Sequence, residues 1–390
     1  SLPRAIVVPD ALAALQTLAR ARRGARSDLR LVGVTGSVGK TTTKEAVAAV
    51  LAQGMATLKS EGNHNNEIGL PLTLASLRAE HHAAVLEMGM YDLGEIAALC
   101  RIAQPTIGVV TNVGPAHLER LGTIERIATA KAELVQALPS DGLAVLNGDD
   151  ARVRAMARQT AARAFTFGLG ADNDVRATHV APLGLRGVRF GVEASAAVRP
   201  VEQAPSAELE LRALGAHAVM GALPAIAIGL AQGLNWTQVA AGLLAQGQGL
   251  RLIPVRGRGG THLLDDAYNA SPASMIAALD VLRDLPGRRV AVLGDMLELG
   301  AYEEEGHRAV GCDAATAVDV LVTVGTRAEG IARGAREAGL DAAAVRSVAS
   351  ADGAVAVLNE LLRPGDMILI KASHSMGLEV VVQALREEAT

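Results

Sequence analysis

Val34-Thr35-Gly36-Ser37-Val38-Gly39-Lys40-Thr41-Thr42-Thr43-Lys44-Glu45 leaves an apolar run at 29–34, passes a glycine turn and enters a helical pattern. A strand that feeds a glycine loop and then a helix is a cradle for phosphate. The glycines let backbone N–H groups curl around an anion, and the helix adds the positive end of its dipole. Lys40 supplies a mobile point charge for β- and γ-phosphates, and Thr41 a hydroxyl for Mg²⁺. The run keeps the short T-G-x-x-G-K-T form, with Val34 where the longer pattern has its first glycine. The expected nucleotide contacts are Thr35, Gly36, Ser37, Val38, Gly39, Lys40, Thr41 and Thr42. A strand-to-helix turn that binds nothing is the bland alternative.

Lysine usage sharpens the reading. Of 37 basic residues only five are lysines, namely Lys40, Lys44, Lys59, Lys131 and Lys371. A lysine kept against such an arginine bias is a candidate for point-charge phosphate contact or for chemistry of a neutral amine, neither of which guanidinium supplies. For Lys44 and Lys59 a solvated side chain is the expectation.

At 390 residues the chain has room for two or three domains. Half of it is apolar and 2% aromatic, so its cores must be built from Ala, Leu, Val and Ile. A net charge of −4 with scattered arginines gives no basic field, which argues against nucleic acid as a partner. Cys100 and Cys312 lack metal-like spacing and lie in apolar helical patterns, so both are expected as buried reduced thiols of a cytoplasmic protein. The apolar stretch 218–231 is too short to cross a bilayer and holds Pro224, and the arginine-bearing start does not read as a signal peptide, so no membrane insertion is expected.

Along the chain, residues 1–28 read as a short strand at 5–8, a helix at 10–20 and a basic connector. Strands at 29–34, 83–88, 107–112 and 143–146 then alternate with helices from Thr41, behind Pro71 and at 94–103 and 123–138. This pattern implies an α/β fold with a mostly parallel sheet covered on both faces. Residues 164–212 break into short β-like runs that suggest a small antiparallel appendage. Helices at 217–232 and 236–245 close a central domain over 29–248. Strands near 251–255, 261–265, 289–293, 320–324 and 366–370 predict a Rossmann-like C-terminal domain over 249–390.

Ligands of open parallel sheets gather at the carboxyl ends of strands. Glu87 ends a buried strand, where its carboxylate can hold Mg²⁺. His117 follows the strand ending at 112, and Lys131 lies mid-helix among Ala and Leu. Singly, Glu87 also reads as a cap, His117 as a surface histidine and Lys131 as a snorkelling lysine. Together they fall beside the edge that carries the phosphate loop.

Further runs extend the pattern. They are Ser60-Glu61-Gly62-Asn63-His64-Asn65-Asn66-Glu67, Leu86-Glu87-Met88-Gly89-Met90, Thr111-Asn112-Val113-Gly114-Pro115-Ala116-His117 and Ala130-Lys131-Ala132-Glu133. In the second half come Asp265-Asp266-Ala267-Tyr268-Asn269-Ala270-Ser271-Pro272, Val292-Leu293-Gly294-Asp295-Met296-Leu297-Glu298 and Ile370-Lys371-Ala372-Ser373-His374-Ser375. In this ordered series the chain resembles the Mur ligases from Leu29 onward.

The resemblance implies an ATP-dependent amide ligase of peptidoglycan precursor synthesis. It would join D-alanyl-D-alanine to UDP-N-acetylmuramoyl-tripeptide through an acyl phosphate, as a monomer. It implies two Mg²⁺ sites, one on Thr41 and Glu87 and the other served by His117 and by Lys131 carrying a CO2-derived carbamate. Lys40, Glu87, His117 and Lys131 would be catalytic. Arg251 would reach the phosphates and Asp266 the ribose. Asn63, Asn65 and Asn66 would lie near the muramyl peptide, and Lys371, Ser373 and His374 near the dipeptide. Residues 1–28 would be the remnant and connector of an N-terminal UDP-sugar domain. One departure stands out. The family's helix reads His-Asn-x-x-Asn, with its asparagines against adenine, whereas this chain reads His217-Ala218-Val219-Met220-Gly221. A folylpolyglutamate-synthase-like or other Mur-type ligase, and an ATP-binding regulatory module without ligation, are the alternative readings.

Overall fold

The computed structural model describes residues 7–115, 118–245 and 252–387. Helix α1 (Ala11–Gly24) starts at Asp10, whose side chain accepts from Ala13 N at 3.0 Å. The expected helix ended at residue 20, but its last turn is held down. The Arg23 guanidinium donates to the carbonyls of Ala103 and Gln104, and Arg22 to those of Ala75 and Leu77. The strand expected at 5–8 is corrected where it can be seen, since Val7 and Val8 are exposed and pair with no strand among the described residues, and residues 5 and 6 lie outside them.

The first sheet comprises β1 (Arg30–Thr35), β2 (Thr57–Lys59), β3 (Ala83–Glu87), β4 (Ile107–Val110), β5 (Leu143–Asn147), β6 (Arg163–Gly168), β7 (Val175–Pro182), β8 (Val188–Ala194) and β9 (Ser206–Leu211). It is nine-stranded in the order β2-β3-β1-β4-β5-β6-β7-β8-β9. Every pairing through β7 is parallel, and β7, β8 and β9 pair antiparallel. The expected antiparallel appendage is thus a continuation of one edge of the central sheet. Phe190, Val192, Leu209 and Leu211 share one core with Val32, Val34 and the helices behind them.

Helices α2 (Lys40–Leu51), α3 (Gly69–Ala75), α4 (Glu95–Ala103), α5 (Leu118–Leu121), α6 (Ile124–Gln136), α7 (Ala151–Ala155), α8 (Ala216–Ala231) and α9 (Trp236–Leu244) flank this sheet. Alternate residues of β1 face opposite ways, as a pleated strand requires. Val32 and Val34 join the core under α2, α8 and α9, whereas Leu31 joins the one under α3, α4 and α6. The apolar stretch 218–231 is thus a buried core helix, and no helix among the described residues is long and apolar enough to cross a membrane.

The second sheet is six-stranded, in the order β10-β11-β15-β12-β13-β14. Its strands are β10 (Ile253–Arg256), β11 (His262–Asp266), β12 (Arg289–Gly294), β13 (Val320–Val324), β14 (Val345–Val348) and β15 (Met367–Lys371). Only β10 runs antiparallel to its neighbour. One face is covered by α10 (Pro272–Arg283), α11 (Glu303–Ala317) and α12 (Glu329–Glu337), the other by α13 (Ala351–Leu361) and α14 (Glu379–Leu385). β14 escapes the sequence reading because it is a short edge strand with Arg346 and Ser347 exposed. The two sheets are joined by packing, since Leu214, which follows β9, is 2% exposed within the core that β12 and α10 build.

Cys100 is buried, and burial pushes its thiol up to about 12, which makes it inert. Cys312 corrects the expectation of two buried thiols, because it sits on the exposed side of α11.

Candidate active site

The order β3-β1-β4 puts β1 at a topological switch point, where connections diverge and leave a crevice at the strand ends. Three segments meet there: the 36–39 loop after β1, Glu87 at the end of β3 and residues 111–114 after β4. Register brings them together, with Val34 opposite Glu87 and Thr35 opposite Val110.

Two glycines make the loop possible. A Cβ on Gly36 would lie 1.8 Å from Thr111 Oγ1, and Gly39 takes the left-handed conformation at φ 87° as the N-cap of α2. No side chain caps this helix, so its first N–H groups and dipole face the crevice. The Lys40 ammonium folds back onto Gly36 O at 2.9 Å. The loop is stitched to the segment after β4. Val38 N–H donates to Asn112 Oδ1, Asn112 Nδ2 donates to Val38 O, and Ser37 Oγ exchanges hydrogen bonds with Gly114. The N–H groups of Ser37 and Val38 are therefore spent on Asn112. Asn112 and Thr111, which also donates to Val38 O, hold the cradle and belong to the site. The signal that marks them is a pair of polar residues directly after a buried strand.

Glu87 is 3% exposed and its two oxygens are divided. Oε2 accepts from Thr41 Oγ1 at 2.9 Å, and Oε1 accepts from Asn65 Nδ2 at 2.9 Å. One carboxylate thus joins the phosphate-loop helix to the 60–66 loop. Asn66 serves that loop differently, since its Oδ1 accepts from the N–H groups of Ile68 and Gly69 where α3 begins. Asn63 is exposed on the crevice wall.

Lys131 is 2% exposed on α6 and lines the same crevice. No side chain or carbonyl among the described residues pairs with it. Burial, and secondarily the Lys40 charge, hold its amine well below the ordinary lysine range. His117 and Arg251 lie outside the described residues.

The second domain closes the crevice. Lys371 is fully buried and pairs with Asp266 Oδ2, and it also donates to Asn269 O at 2.8 Å. Among the described residues Asp266 Oδ1 is buried without a partner. Ser373 Oγ accepts from Leu297 N–H at 2.9 Å, and His374, exposed, contacts Glu379 and the Tyr268 ring. Gly300 packs against the backbone of Glu119 from the first domain. Where the family pattern carries asparagines, α8 presents buried Ala218 and Gly221, and a Cβ on Gly221 would lie 2.9 Å from Thr42 Cγ2. The open crevice between the domains offers about 1500 Å³, more than one small ligand needs.

Lys44 corrects the expectation of a solvated side chain. It is fully buried and donates to Ser60 O at 2.8 Å, while Lys59 stays half-exposed beside Glu45.

A nucleotide loop, a buried carboxylate beside it and a second Rossmann-like domain over one crevice define an ATP-dependent ligase scaffold, and the chain belongs to the Mur ligases. The Mur ligase middle domain matches residues 34–229, and the Mur ligase, glutamate ligase domain matches residues 250–374. The chain is 39% identical over 388 residues to the UDP-N-acetylmuramoyl-tripeptide–D-alanyl-D-alanine ligase of Synechocystis, covering 98% of this chain and 80% of that one. The crystal structure of MurF from Acinetobacter baumannii superposes with a TM-score of 0.87 at 31% identity, over 98% of this chain and 82% of that one. MurF from Thermotoga maritima, solved in complex with ADP, does so with a TM-score of 0.81 at 27% identity, over 97% and 84%.

Proposed function

We propose that this chain is the ligase that joins D-alanyl-D-alanine to UDP-N-acetylmuramoyl-tripeptide at the expense of ATP, in peptidoglycan precursor synthesis. The observation that carries the reading is the Thr41–Glu87–Asn65 junction, where the nucleotide loop and the 60–66 loop converge on one buried carboxylate.

A carboxylate becomes electrophilic only when one of its oxygens becomes a leaving group. The terminal carboxylate oxygen of the tripeptide attacks the γ-phosphorus, the bridging P–O bond breaks and ADP leaves. The dipeptide amine then attacks the acyl phosphate carbon. The tetrahedral adduct loses a proton from nitrogen and expels phosphate. Two anions must meet in the first step, so the site has to supply positive charge.

Lys40 brings part of that charge to the loop. Thr41 Oγ1 and Glu87 are hard oxygen donors converging from two elements, a donor set that fits Mg²⁺. When bound, the metal screens the like charges and polarises the phosphoryl oxygens. Lys131 fits carbamylation: its buried amine has no ion-pair partner among the described residues and is biased toward the neutral form that reacts with CO2. There the neutral amine adds to the CO2 carbon and gives up one proton, turning a neutral group into an anion suited to a second Mg²⁺ together with His117. Asp266, fixed by Lys371 through one oxygen, turns a buried free oxygen toward a donor such as a ribose hydroxyl. Arg251 is assigned to the phosphates and Asn63, with the Ser373–His374 turn, to the peptide substrates.

The test is product mass. With ATP, Mg²⁺, UDP-N-acetylmuramoyl-tripeptide and D-alanyl-D-alanine, the UDP-linked pentapeptide should accumulate. A protein that turns over ATP but leaves both peptides unchanged in mass contradicts the reading.

A further inference from the structure

Lys44 lies one helical turn beyond Thr41 on the same face of α2. Its ammonium is fully buried, a costly placement unless every donor is used. The partners are two backbone carbonyls of the loop after β2, Ser60 O at 2.8 Å and Gly62 O at 3.4 Å, and the Glu45 carboxylate at 3.1 Å. Glu45 is held from the solvent side by Lys59 as well, so the pair is anchored twice.

The same loop is bound again further along. Ser60 Oγ accepts from Glu87 N–H at 3.1 Å, Asn65 Nδ2 donates to Glu87 Oε1, and Asn65 O accepts from Gly89 N–H at 2.8 Å. Thr41 returns from Glu87 to α2. The bonds form a closed circuit: α2 through Lys44 to residues 60–62, along the loop to Asn65, across Glu87, and through Thr41 back to α2. A methionine or leucine would fill the volume of Lys44 without the cost of burying charge. The carbonyls are what demand a cation.

We infer that Lys44 is a positioning residue that locks the 60–66 loop to the phosphate-loop helix, setting the acyl-donor (muramyl-tripeptide) site and the nucleotide site in one register. Resting on the function proposed above, this adds a residue that touches neither substrate. Removing the lock lets the loop drift while the phosphate loop, stitched independently to Asn112, stays formed.

The experiment compares wild type, Lys44→Met and Lys59→Met in steady-state ligation and in amide hydrogen exchange without substrates. Lys44→Met should raise KM for UDP-N-acetylmuramoyl-tripeptide by about tenfold or more, the scale of hydrogen bonds to a charged group, with KM for ATP within about twofold. Exchange in residues 60–66 should quicken while α2 stays protected. Lys59→Met should match wild type in both. If Lys44→Met does not fold, Lys44→Gln, a neutral donor on a shorter stem, takes its place. Unchanged exchange at 60–66, or a rise spread evenly over the domain with KM values unmoved, overturns the lock. A wild type that fails to ligate refutes the function instead, and the exchange measurement still decides the lock.

Discussion

Thr41 Oγ1 and Glu87 Oε2 sit 2.9 Å apart although 46 residues separate them in sequence. The contact exists because β1 and β3 are neighbours in register, so the strand end that carries Glu87 lies beside the first turn of α2. The bond brings a hydroxyl and a carboxylate together where the Mg²⁺ proposed above would bind. Glu87→Gln keeps a hydrogen-bond acceptor for Thr41 but removes the charge. Turnover should fall by about 10²–10³, the usual cost of losing a charge-stabilising group, with thermal stability nearly unchanged. A Mg²⁺ titration of the variant should shift to higher concentration, and an unshifted titration would remove Glu87 from the metal site.

For Lys131 the prediction concerns pH and CO2. Its folded-state pKa is lowered, so between that value and the ordinary lysine value the unfolded chain binds the proton that the folded chain releases. Stability linked to this group is therefore greatest above the ordinary lysine pKa and falls as pH drops toward the folded value. Acidification also removes the neutral amine. Activity should decline on acidification and on CO2 removal and return when bicarbonate is restored. Lys131→Ala should be nearly inactive and partly rescued by acetate, whereas Lys131→Arg should resist rescue. Wild-type turnover in Lys131→Arg would show that no carbamate is used.

Lys40→Ala should abolish turnover and leave the fold in place. The ammonium contributes a hydrogen bond to Gly36 O at the crevice surface, so its loss should cost about 0.5–1 kcal/mol of stability. Thermal melting and phosphate release on the same preparation separate the two effects. A folded variant with full activity would disprove the phosphate-loop assignment.

Base selectivity should be weak. The Mur resemblance places adenine against α8, but this wall presents Ala218, and Gly221 has Thr42 too close for a larger side chain. Without an amide pair to leave unsatisfied, GTP should support ligation within about tenfold of ATP in kcat/KM. A preference for ATP on the order of a thousandfold would mean that other groups read the base.

Much of the architecture is legible in the sequence because apolar strands such as 83–87 and 289–294 sit between amphipathic helices, and the glycine loop fixes which strand ends carry the ligands. The continuity of β6 with the antiparallel strands is not legible. It depends on Phe190 and Leu209 packing under α8, a contact between distant segments. Edge strands β2 and β14 are too short to show a period. In the site, Glu87 and Lys131 can be found from polar character inside buried patterns. Lys44 is hidden because a helix lysine looks solvated until its facing loop is known, and Asn112 because its partner is the backbone of Val38. The bond between Lys371 and Asp266 likewise appears only when β15 is placed beside β11.

The most direct measurement is phosphate release from ATP by the wild-type chain, with each peptide substrate omitted in turn. Release should be slow with ATP alone, and sustained release should require both UDP-N-acetylmuramoyl-tripeptide and D-alanyl-D-alanine, one phosphate per amide formed. Equal rates with and without the two peptides would contradict the ligase account.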